Sequence, residues 1–222
     1  MAARRSEISE AVENYAKAIY AIQSRDGTVS TNALAERLGV TAASASGMVK
    51  KLGGLGLVSH VPYKGVELTD AGERLALEVI RHHRLLELYL AESLDVPWDR
   101  VHAEAEVLEH VISEELEVRI AAKLGHPTHD PHGDPIPSAD LQLAADDTRA
   151  LASLEPGDHG TLARVADDPE MLRYLSARGI APGAELTVVD KQPFGGPLFV
   201  HIGEVTHALG GALAASMRVR AA

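Results

Sequence analysis

The chain has 222 residues, of which 45% are hydrophobic and 24% are charged, as is usual for globular proteins. This length suits one large domain or two small ones, each with its own core. The sequence contains no cysteine, which excludes disulfides, thiolate nucleophiles and thiolate-bound metals. No apolar run approaches the ~20 residues that cross a bilayer, and the first residues lead into Ser and Glu instead of an apolar signal core. We therefore expect a cytoplasmic protein with no membrane partner.

The net charge of −11 would argue against a nucleic-acid-binding protein, because phosphate contacts need Lys and Arg. This charge is unevenly distributed along the chain. Residues 1–64 contain eight Lys and Arg against five Asp and Glu, a balance of +3, whereas the remainder contains 13 against 27, a balance of −14. The asymmetry predicts that only the N-terminal part contacts nucleic acid.

The N-terminal residues have the pattern of a winged helix-turn-helix. Apolar residues recur every three or four positions in 9–24, which predicts an amphipathic helix. Two short helices are predicted next, the first from residue 30 or 31 to 39 and the second from Thr41 through Leu52. The pattern then changes to strands at 57–61 and 66–68, so a β-hairpin follows the helix-turn-helix directly.

The rest of the chain is predicted to contain two long helices, a linker and a small β-barrel. The first helix covers 71–94, and the second runs from Trp98 to about Leu124 with an interruption near Ser113. Residues 125–159 are rich in Pro, His and Asp, which is typical of a linker. Beyond them we expect strands at 161–165, 185–190 and 198–202 and a short helix at 169–177.

One stripe of side chains has a definite chemistry. His102, Glu106, Glu109 and His110 follow one another at steps of four, three and one residues, so that on one helix they lie along one face. The preceding helix offers His83 and Glu87 at a spacing of four residues. Imidazole and carboxylate without thiolate favour Mn(II) or Fe(II) as the metal, and Zn(II), Co(II) and Ni(II) also bind such ligands.

Three other interpretations stay open at this point. On either helix alone, these residues would more often be a solvated surface. A di-metal enzyme in a helix bundle would carry Glu-x-x-His on each of two helices, and this spacing is missing here. A winged-helix repressor controlled by a small organic ligand is the remaining alternative.

Several motifs resemble the diphtheria-toxin-repressor family of metal-activated transcription repressors, and most closely its manganese-responsive members. They are RHHRLLELYL at 81–90, VHAEAEVLEHVISE at 101–114, DPHGDPIP at 130–137 and, further on, RGIAPGAEL and QPFGGPLFV. The resemblance implies a mainly α protein that is not an enzyme and has no small-molecule substrate. Its implied parts are a winged helix-turn-helix at 1–74, a helical metal-binding and dimerisation domain at 75–140, a linker at 141–156 and a small SH3-like β-barrel at 157–222.

The resemblance also implies two sets of metal ligands. The metal-sensing set corresponds to Asn14, Glu106, Glu109 and His110, with His83 close by. Glu106 takes the place of a Cys in the iron-responsive branch, and Asn14 takes the place of the Asp of manganese-type relatives. The ancillary set is drawn from seven residues: His83, Glu87, His102, Asp130, His132, Asp167 and Glu170. Asp168 is a further candidate, slightly weaker than its neighbour Asp167.

The implied partners are double-stranded operator DNA and a second copy of the chain. Metal would hold the two recognition helices of the dimer near the ~34 Å spacing of a palindromic operator. The residues expected at the DNA are Thr41, Ala43, Ser44, Ser46, Gly47, Lys50, Lys51 and, from the wing, Lys64. Most of these are small, so sequence discrimination would depend on DNA shape and weak contacts, while the lysines would contact phosphates.

Overall fold

A computed structural model describes residues 8–27, 29–61 and 65–221 of the chain. Lys64 of the predicted wing therefore lies outside the described residues. The described chain divides into two compact units. The first contains residues up to 83 together with 109–112 and 137–142, and the second contains 84–108, 113–136 and 143–222.

The first unit begins with three helices, as the apolar periodicity predicts. They are α1 (Glu10–Asp26), α2 (Thr31–Leu38) and α3 (Ala42–Gly54). The Ser30 side chain accepts a hydrogen bond from the Ala33 amide at the start of α2, and Thr41 accepts one from the Ser44 amide at the start of α3. These caps satisfy amides that the first helical turn leaves without a partner, so the two helices start where the sequence predicts.

A two-stranded antiparallel hairpin follows α3. It consists of β1 (Val58–Val61) and β2 (Gly65–Leu68), with Val58 opposite Leu68 and Val61 opposite Gly65. One buried core joins this hairpin to the three helices; its fully buried members are Val12, Ile19, Val29, Leu34, Ala45 and Leu52. The predicted helix-turn-helix with a following hairpin is thus confirmed for the described residues.

Three further helices follow the hairpin: α4 (Asp70–Leu94), α5 (Val101–Leu108) and α6 (Glu114–Lys123). The predicted helix from Trp98 to Leu124 is therefore two helices, with Ser113 capping the second by accepting a hydrogen bond from the Leu116 amide. The prediction that all four residues of the stripe share one helix is wrong. Glu109 and His110 lie in the turn after α5, where His82 Nδ1 lies 3.3 Å from the carbonyl oxygen of Glu109.

The C-terminal part of the second unit is a six-stranded antiparallel sheet. The strands are β3 (Arg149–Ala150), β4 (His159–Arg164), β5 (Glu185–Lys191), β6 (Leu198–Ile202), β7 (Val205–Leu209) and β8 (Arg218–Ala221). Two helices, α7 (Pro169–Ser176) and α8 (Gly211–Ser216), interrupt them. The sheet order is β3-β8-β4-β5-β6-β7.

This arrangement corrects the expectation of a closed barrel. Within the part of the chain that the structure describes, the hydrogen-bonded ladder begins at β3 and ends at β7 without joining them. The sequence pattern also missed β3, β7 and β8, because these are short strands without clear alternation. Leu162, Leu172, Val200 and Met217 are among the fully buried residues of the core beneath the sheet.

The Pro- and His-rich segment near residue 130 is folded, although its composition is typical of a linker. The Asp130 amide donates to the Asp134 carbonyl at 3.0 Å, and the Ile136 amide donates to the Thr128 carbonyl at 2.9 Å. Asp130, His132 and Ile136 are buried. Among the described residues, no helix combines the length and the apolar composition of a membrane span.

Candidate metal centre

The first candidate site is centred on the carboxylate of Glu109, whose side chain is fully buried. Lys17 Nζ, from α1, lies 2.7 Å from Glu109 Oε1, and His83 Nδ1, from α4, lies 2.5 Å from Glu109 Oε2. His110 Nε2 lies 3.4 Å from Glu109 Oε1. A buried carboxylate thus has two imidazoles and one ammonium group beside it.

Glu13 of α1 extends this group. Glu13 Oε2 lies 2.5 Å from Nδ1 of His110, whose side chain is only 7% exposed. Glu13 and Lys17 are one helical turn apart on α1, so the two side chains share a face of the helix. We call Glu13, Lys17, His83, Glu109 and His110 the Glu109 cluster.

Two buried atoms in this region make no hydrogen bond within the described residues: His110 Nε2 and Asn14 Oδ1. A buried polar atom without a partner costs free energy, so such atoms are rare in folded proteins unless they serve a ligand. Imidazole nitrogens, carboxylates and an amide oxygen are donors that a divalent cation accepts. The residues present therefore fit a divalent metal.

A second candidate site lies within the second unit. It consists of Glu87 on α4, His102 on α5, His132 in the folded Pro-rich segment and Asp167 just before α7. His102 Nδ1 lies 2.6 Å from Asp167 Oδ2 and 3.3 Å from Glu87 Oε1. His132 Nε2 lies 3.7 Å from Asp167 Oδ1 and 3.9 Å from Glu87 Oε1. We call these four residues the Glu87 cluster.

The Glu87 cluster also fits a metal. One ligand atom from each of Glu87, His132 and Asp167 lies within 4.8 Å of the other two, a spacing that one ion with bonds of about 2.0–2.6 Å can bridge. The His132 side chain is 1% exposed, and neither of its ring nitrogens makes a hydrogen bond within the described residues. A metal would satisfy a nitrogen that the fold otherwise leaves without a partner.

Two carboxylates control the charge of His102. The hydrogen bond to Asp167, followed by the hydrogen bond to Glu87, raises the pKa of His102 to about 10, although burial acts in the opposite direction. Without metal, these groups therefore stabilise the imidazolium form of His102. Because metals bind the neutral imidazole, a metal held by this residue would displace its proton into solution.

His132 is held in place by its own segment and by strand β4. The His132 carbonyl accepts a hydrogen bond at 2.9 Å from the amide of Val165, the residue after β4, and the Trp98 ring is tilted by 34° against the imidazole at a centroid distance of 5.8 Å. The next residue, Gly133, has a φ of +88°, and a Cβ there would collide with the Ala163 carbonyl. Glycine therefore allows this segment to approach β4 closely, next to the chain that carries Asp167.

Asp130 organises the Pro- and His-rich segment, since one of its carboxylate oxygens accepts hydrogen bonds from two backbone amides. Asp130 Oδ1 accepts hydrogen bonds from the amides of His132 and Asp134, both at 2.9 Å, and Asp130 Oδ2 lies 3.7 Å from Arg84 Nε. Burial raises the pKa of Asp130 well above its usual value, and the nearby charges of Asp134 and Glu87 add to this effect. Asp130 thus lies beside Glu87 and holds the backbone of its own segment, and its role as a metal ligand stays a prediction.

The remaining predicted ligands are placed as follows. Glu106 lies one turn after His102 on α5, with Glu106 Oε1 3.7 Å from His102 Nε2. Its membership in the metal-sensing set stays a prediction. Glu170 is exposed in the first turn of α7, and Asp168 caps that helix by accepting hydrogen bonds from the amides of Glu170 and Met171. His83, expected near both sets, contacts Glu109.

Sequence reasoning missed Glu13 and Lys17. A Glu and a Lys four residues apart on an amphipathic helix are usually a surface pair, so their spacing alone does not indicate a site. One signal was available, because both flank the predicted ligand Asn14 on the same helix. No local pattern predicts that Glu13 meets a histidine 97 residues away.

The helix α3 presents the predicted DNA-contacting face. Its exposed residues include all those predicted for the recognition helix and its cap: Thr41, Ala43, Ser44, Ser46, Gly47, Lys50 and Lys51. Ala45 and Leu52, in contrast, are fully buried in the core of the first unit. The helix is thus fixed by one face and leaves small and basic residues on the other.

Protein-family models match almost the whole chain in three consecutive segments. Residues 7–66 match the iron dependent repressor N-terminal DNA binding domain, and residues 69–138 match the iron dependent repressor metal binding and dimerisation domain. Residues 149–221 match the FeoA domain.

Individual relatives match this chain over most of their own length. The iron-dependent repressor IdeR of Mycobacterium bovis is 32% identical over 208 residues, which cover 88% of this chain and 90% of that protein. The chain belongs to the diphtheria-toxin-repressor family. The diphtheria toxin repressor of Corynebacterium efficiens is 32% identical over 198 residues, covering 84% of this chain and 86% of the relative.

Among solved structures, a manganese-dependent transcriptional repressor in complex with manganese superposes on the chain with a TM-score of 0.87. The two share 46% identity, and the match covers 95% of this chain and 100% of the other. This member of the diphtheria-toxin-repressor family is therefore a metal-dependent transcriptional repressor and not an enzyme. The comparisons support the main hypothesis over the helix-bundle enzyme and the repressor controlled by an organic ligand.

Proposed function

We propose that the protein binds palindromic operator DNA as a homodimer when a divalent metal occupies the Glu109 cluster. The proposed metal is Mn(II) or, as second choice, Fe(II). In this proposal the repressor acts in the cytoplasm. The genes that it controls are those of metal uptake and homeostasis. The contact of Glu13 with His110 carries this proposal, because it joins the first helix of the DNA-binding unit to the turn that bears Glu109.

Mn(II) is the first choice because the donors around Glu109 are carboxylates and imidazoles. Such donors suit Mn(II) and Fe(II), whereas Zn(II), Co(II) and Ni(II) would substitute in vitro on affinity alone. The similar repressor structure contains manganese, and the similar curated proteins are named for iron. A bound divalent cation would supply two positive charges to the Glu109 cluster.

The residues of the cluster would act through α1. Glu13 is on α1, and the core residues Val12 and Ile19 of the same helix are buried together with Ala45 and Leu52 of α3. Because packed helices move together, holding Glu13 against His110 fixes the orientation of the recognition helix α3. Without this restraint only a fraction of dimers would have the spacing that the operator requires, and the apparent DNA affinity would fall by that fraction.

A dimer is supported by exposed apolar side chains on the helices of the second unit. Leu94, Val107, Leu116 and Val118 are 57%, 69%, 49% and 62% exposed. Several large apolar side chains in the open on a helical domain mark an interface, and the matching family model is that of a dimerisation domain. Sedimentation equilibrium of the purified chain tests this, since a monomer at micromolar concentration would contradict it.

The Glu87 cluster is proposed as the ancillary metal site, with Glu87, His102, His132 and Asp167 as its ligands. Asp167 precedes α7, within the residues that match the FeoA domain. The structure favours these four over Asp130, which caps its own segment, and Glu170, which is exposed. The small C-terminal domain would then contribute a ligand, in keeping with the SH3-like domain that the sequence resemblance implies.

The decisive experiment is a DNA-binding titration with Mn(II), Fe(II), Zn(II) and chelator compared side by side. Duplexes enriched from random sequence with the Mn(II)-loaded protein serve as probes, and fluorescence anisotropy measures binding. We expect tight binding with Mn(II), loss of binding with chelator, and loss of the metal effect in Glu109→Gln. Binding that is equal with metal and with chelator would contradict the proposal.

A further inference from the structure

Lys17 occupies a cation position in the Glu109 cluster. Its Nζ lies 2.7 Å from Glu109 Oε1, and His83 Nδ1 lies 2.5 Å from the second oxygen. The Glu109 side chain is fully buried, whereas the Lys17 side chain is 20% exposed. Both carboxylate oxygens are thus engaged, one of them by a positive charge that belongs to the chain.

This charge has a clear function in the absence of metal. An ionised carboxylate buried without a compensating charge is strongly destabilising, and the ammonium group of Lys17 supplies that charge. The same ammonium group opposes a divalent cation at Glu109, because like charges a few ångströms apart repel each other strongly where water is largely excluded. Metal binding to Glu109 Oε1 therefore requires Lys17 to move away.

Lys17 is able to move in this way. Its four-carbon side chain is flexible, and its partial exposure gives the ammonium group access to water, where it is strongly hydrated. Glu109 has no such access and stays in place to receive a cation. The buried carboxylate is thus fixed, and the positive charge beside it is exchangeable.

We propose that Lys17 is a tethered cation, which pairs with Glu109 in the metal-free protein and which the metal must displace. Lys17 thereby sets the metal concentration at which the repressor becomes loaded, and it stabilises the metal-free fold. The inference rests on the proposed metal site. It goes further by assigning an opposing role to a residue that is not itself a ligand.

The test measures Mn(II) affinity in full-length variants by the electron paramagnetic resonance signal of free Mn(II). All variants carry Asp167→Asn, so that the Glu87 cluster contributes little to the signal. Lys17→Met removes the charge and keeps an unbranched side chain, Lys17→Arg keeps the charge, and Lys123→Met removes an exposed lysine on α6 as a control. We expect Lys17→Met to bind Mn(II) about tenfold or more tightly than the parent, and the other two to stay close to the parent.

Thermal unfolding with and without Mn(II) provides a second measurement, because loss of a purely structural ion pair would lower Tm to the same extent in both conditions. Metal-free Lys17→Met should unfold at a lower temperature than the parent, because Glu109 has lost its compensating charge. With saturating Mn(II) the difference should shrink, so the metal-induced rise in Tm should be larger in the variant. Equal Mn(II) affinity, or weaker affinity, in a folded Lys17→Met would overturn the inference.

Mn(II) binding by the parent, which carries Asp167→Asn alone, distinguishes this outcome from a failure of the proposed function. If the parent binds Mn(II), and Glu109→Gln weakens that binding, the site is established and the lysine variants alone decide the role of Lys17. If Glu109→Gln leaves Mn(II) affinity unchanged, the site assignment and the inference both fall.

Discussion

Glu13 and His110 are 97 residues apart in the sequence, and Glu13 Oε2 lies 2.5 Å from His110 Nδ1. This contact connects α1, which is part of the DNA-binding core, to the turn that carries Glu109. In the proposed function, this contact would link the Glu109 cluster to the recognition helix α3. Glu13 was not predicted from the sequence, so it offers an independent test of the scheme.

Glu13→Gln should weaken Mn(II) binding by about tenfold or more, because the change removes a negative charge beside His110 and keeps the side-chain shape. Metal-dependent DNA binding should weaken in parallel. Isothermal titration calorimetry and DNA anisotropy measure the two effects. Glu10→Gln, on the exposed first turn of the same helix, is the matched control. Equal Mn(II) affinity in the two variants would show that Glu13 does not contribute to the site.

Asn14→Asp should raise Mn(II) affinity by about tenfold, because it adds a charge where an amide oxygen is buried without a hydrogen-bond partner among the described residues. The metal-free variant should unfold at a lower temperature, since a buried carboxylate without a partner is costly. Calorimetric titration and thermal unfolding with and without Mn(II) measure both effects. An unchanged Mn(II) affinity would make Asn14 a structural residue and remove it from the ligand set.

Asp167 and Asp168 are neighbours with different contacts, which allows a matched comparison. Asp167→Asn should abolish metal binding at the Glu87 cluster, because Asp167 lies 2.6 Å from His102 and 3.7 Å from His132. Asp168→Ala should leave metal binding intact and lower the free energy of unfolding by about 1 kcal/mol, because Asp168 caps α7. Metal stoichiometry and urea unfolding separate the two. Loss of one metal in Asp168→Ala, and not in Asp167→Asn, would refute the assignment.

Gly133→Ala should destabilise the protein by about 2 kcal/mol or more, because a left-handed φ and a clash with the Ala163 backbone act together. It should also weaken metal binding at the Glu87 cluster by displacing His132. Gly125→Ala is the control, since Gly125 has a similar φ of +73° and nothing within 4 Å of an added Cβ. Gly125→Ala should cost about 1–2 kcal/mol and leave metal binding unchanged. Equal losses of unfolding free energy in Gly133→Ala and Gly125→Ala, measured by urea unfolding, would argue against the close approach of this segment to β4.

Lys50→Ala and Lys51→Ala should each weaken DNA binding to a similar extent on all sequences, because both lysines are exposed on α3 and are expected to contact phosphates. The slope of log affinity against log salt concentration should decrease by about one for each lysine removed. Anisotropy titrations across a salt series measure this slope. Lys123→Ala, on an exposed position of α6, should leave it unchanged. A normal slope in Lys51→Ala would identify that residue as a surface lysine without a DNA contact.

The sequence by itself determined the N-terminal fold well, because local interactions specify it. Apolar periodicity defined α1, and the side chains of Ser30 and Thr41 cap α2 and α3 within three residues of their own positions. A change of period after Gly54 predicted the hairpin. The chemistry of the candidate metal ligands was also readable from the sequence, since a chain without cysteine can offer only carboxylate, imidazole, amide and similar donors.

Only the tertiary structure decided which of these ligands meet. Helix α5 ends at Leu108 without a glycine or proline to mark the place, and the Glu109 that follows is engaged by His82 and His83 from α4. The partnership of Glu13 with His110 depends, like that of Lys17 with Glu109, on contacts between segments more than 90 residues apart. Residue spacing reveals neighbours on one helix, whereas these contacts arise from packing between elements, which no local period encodes.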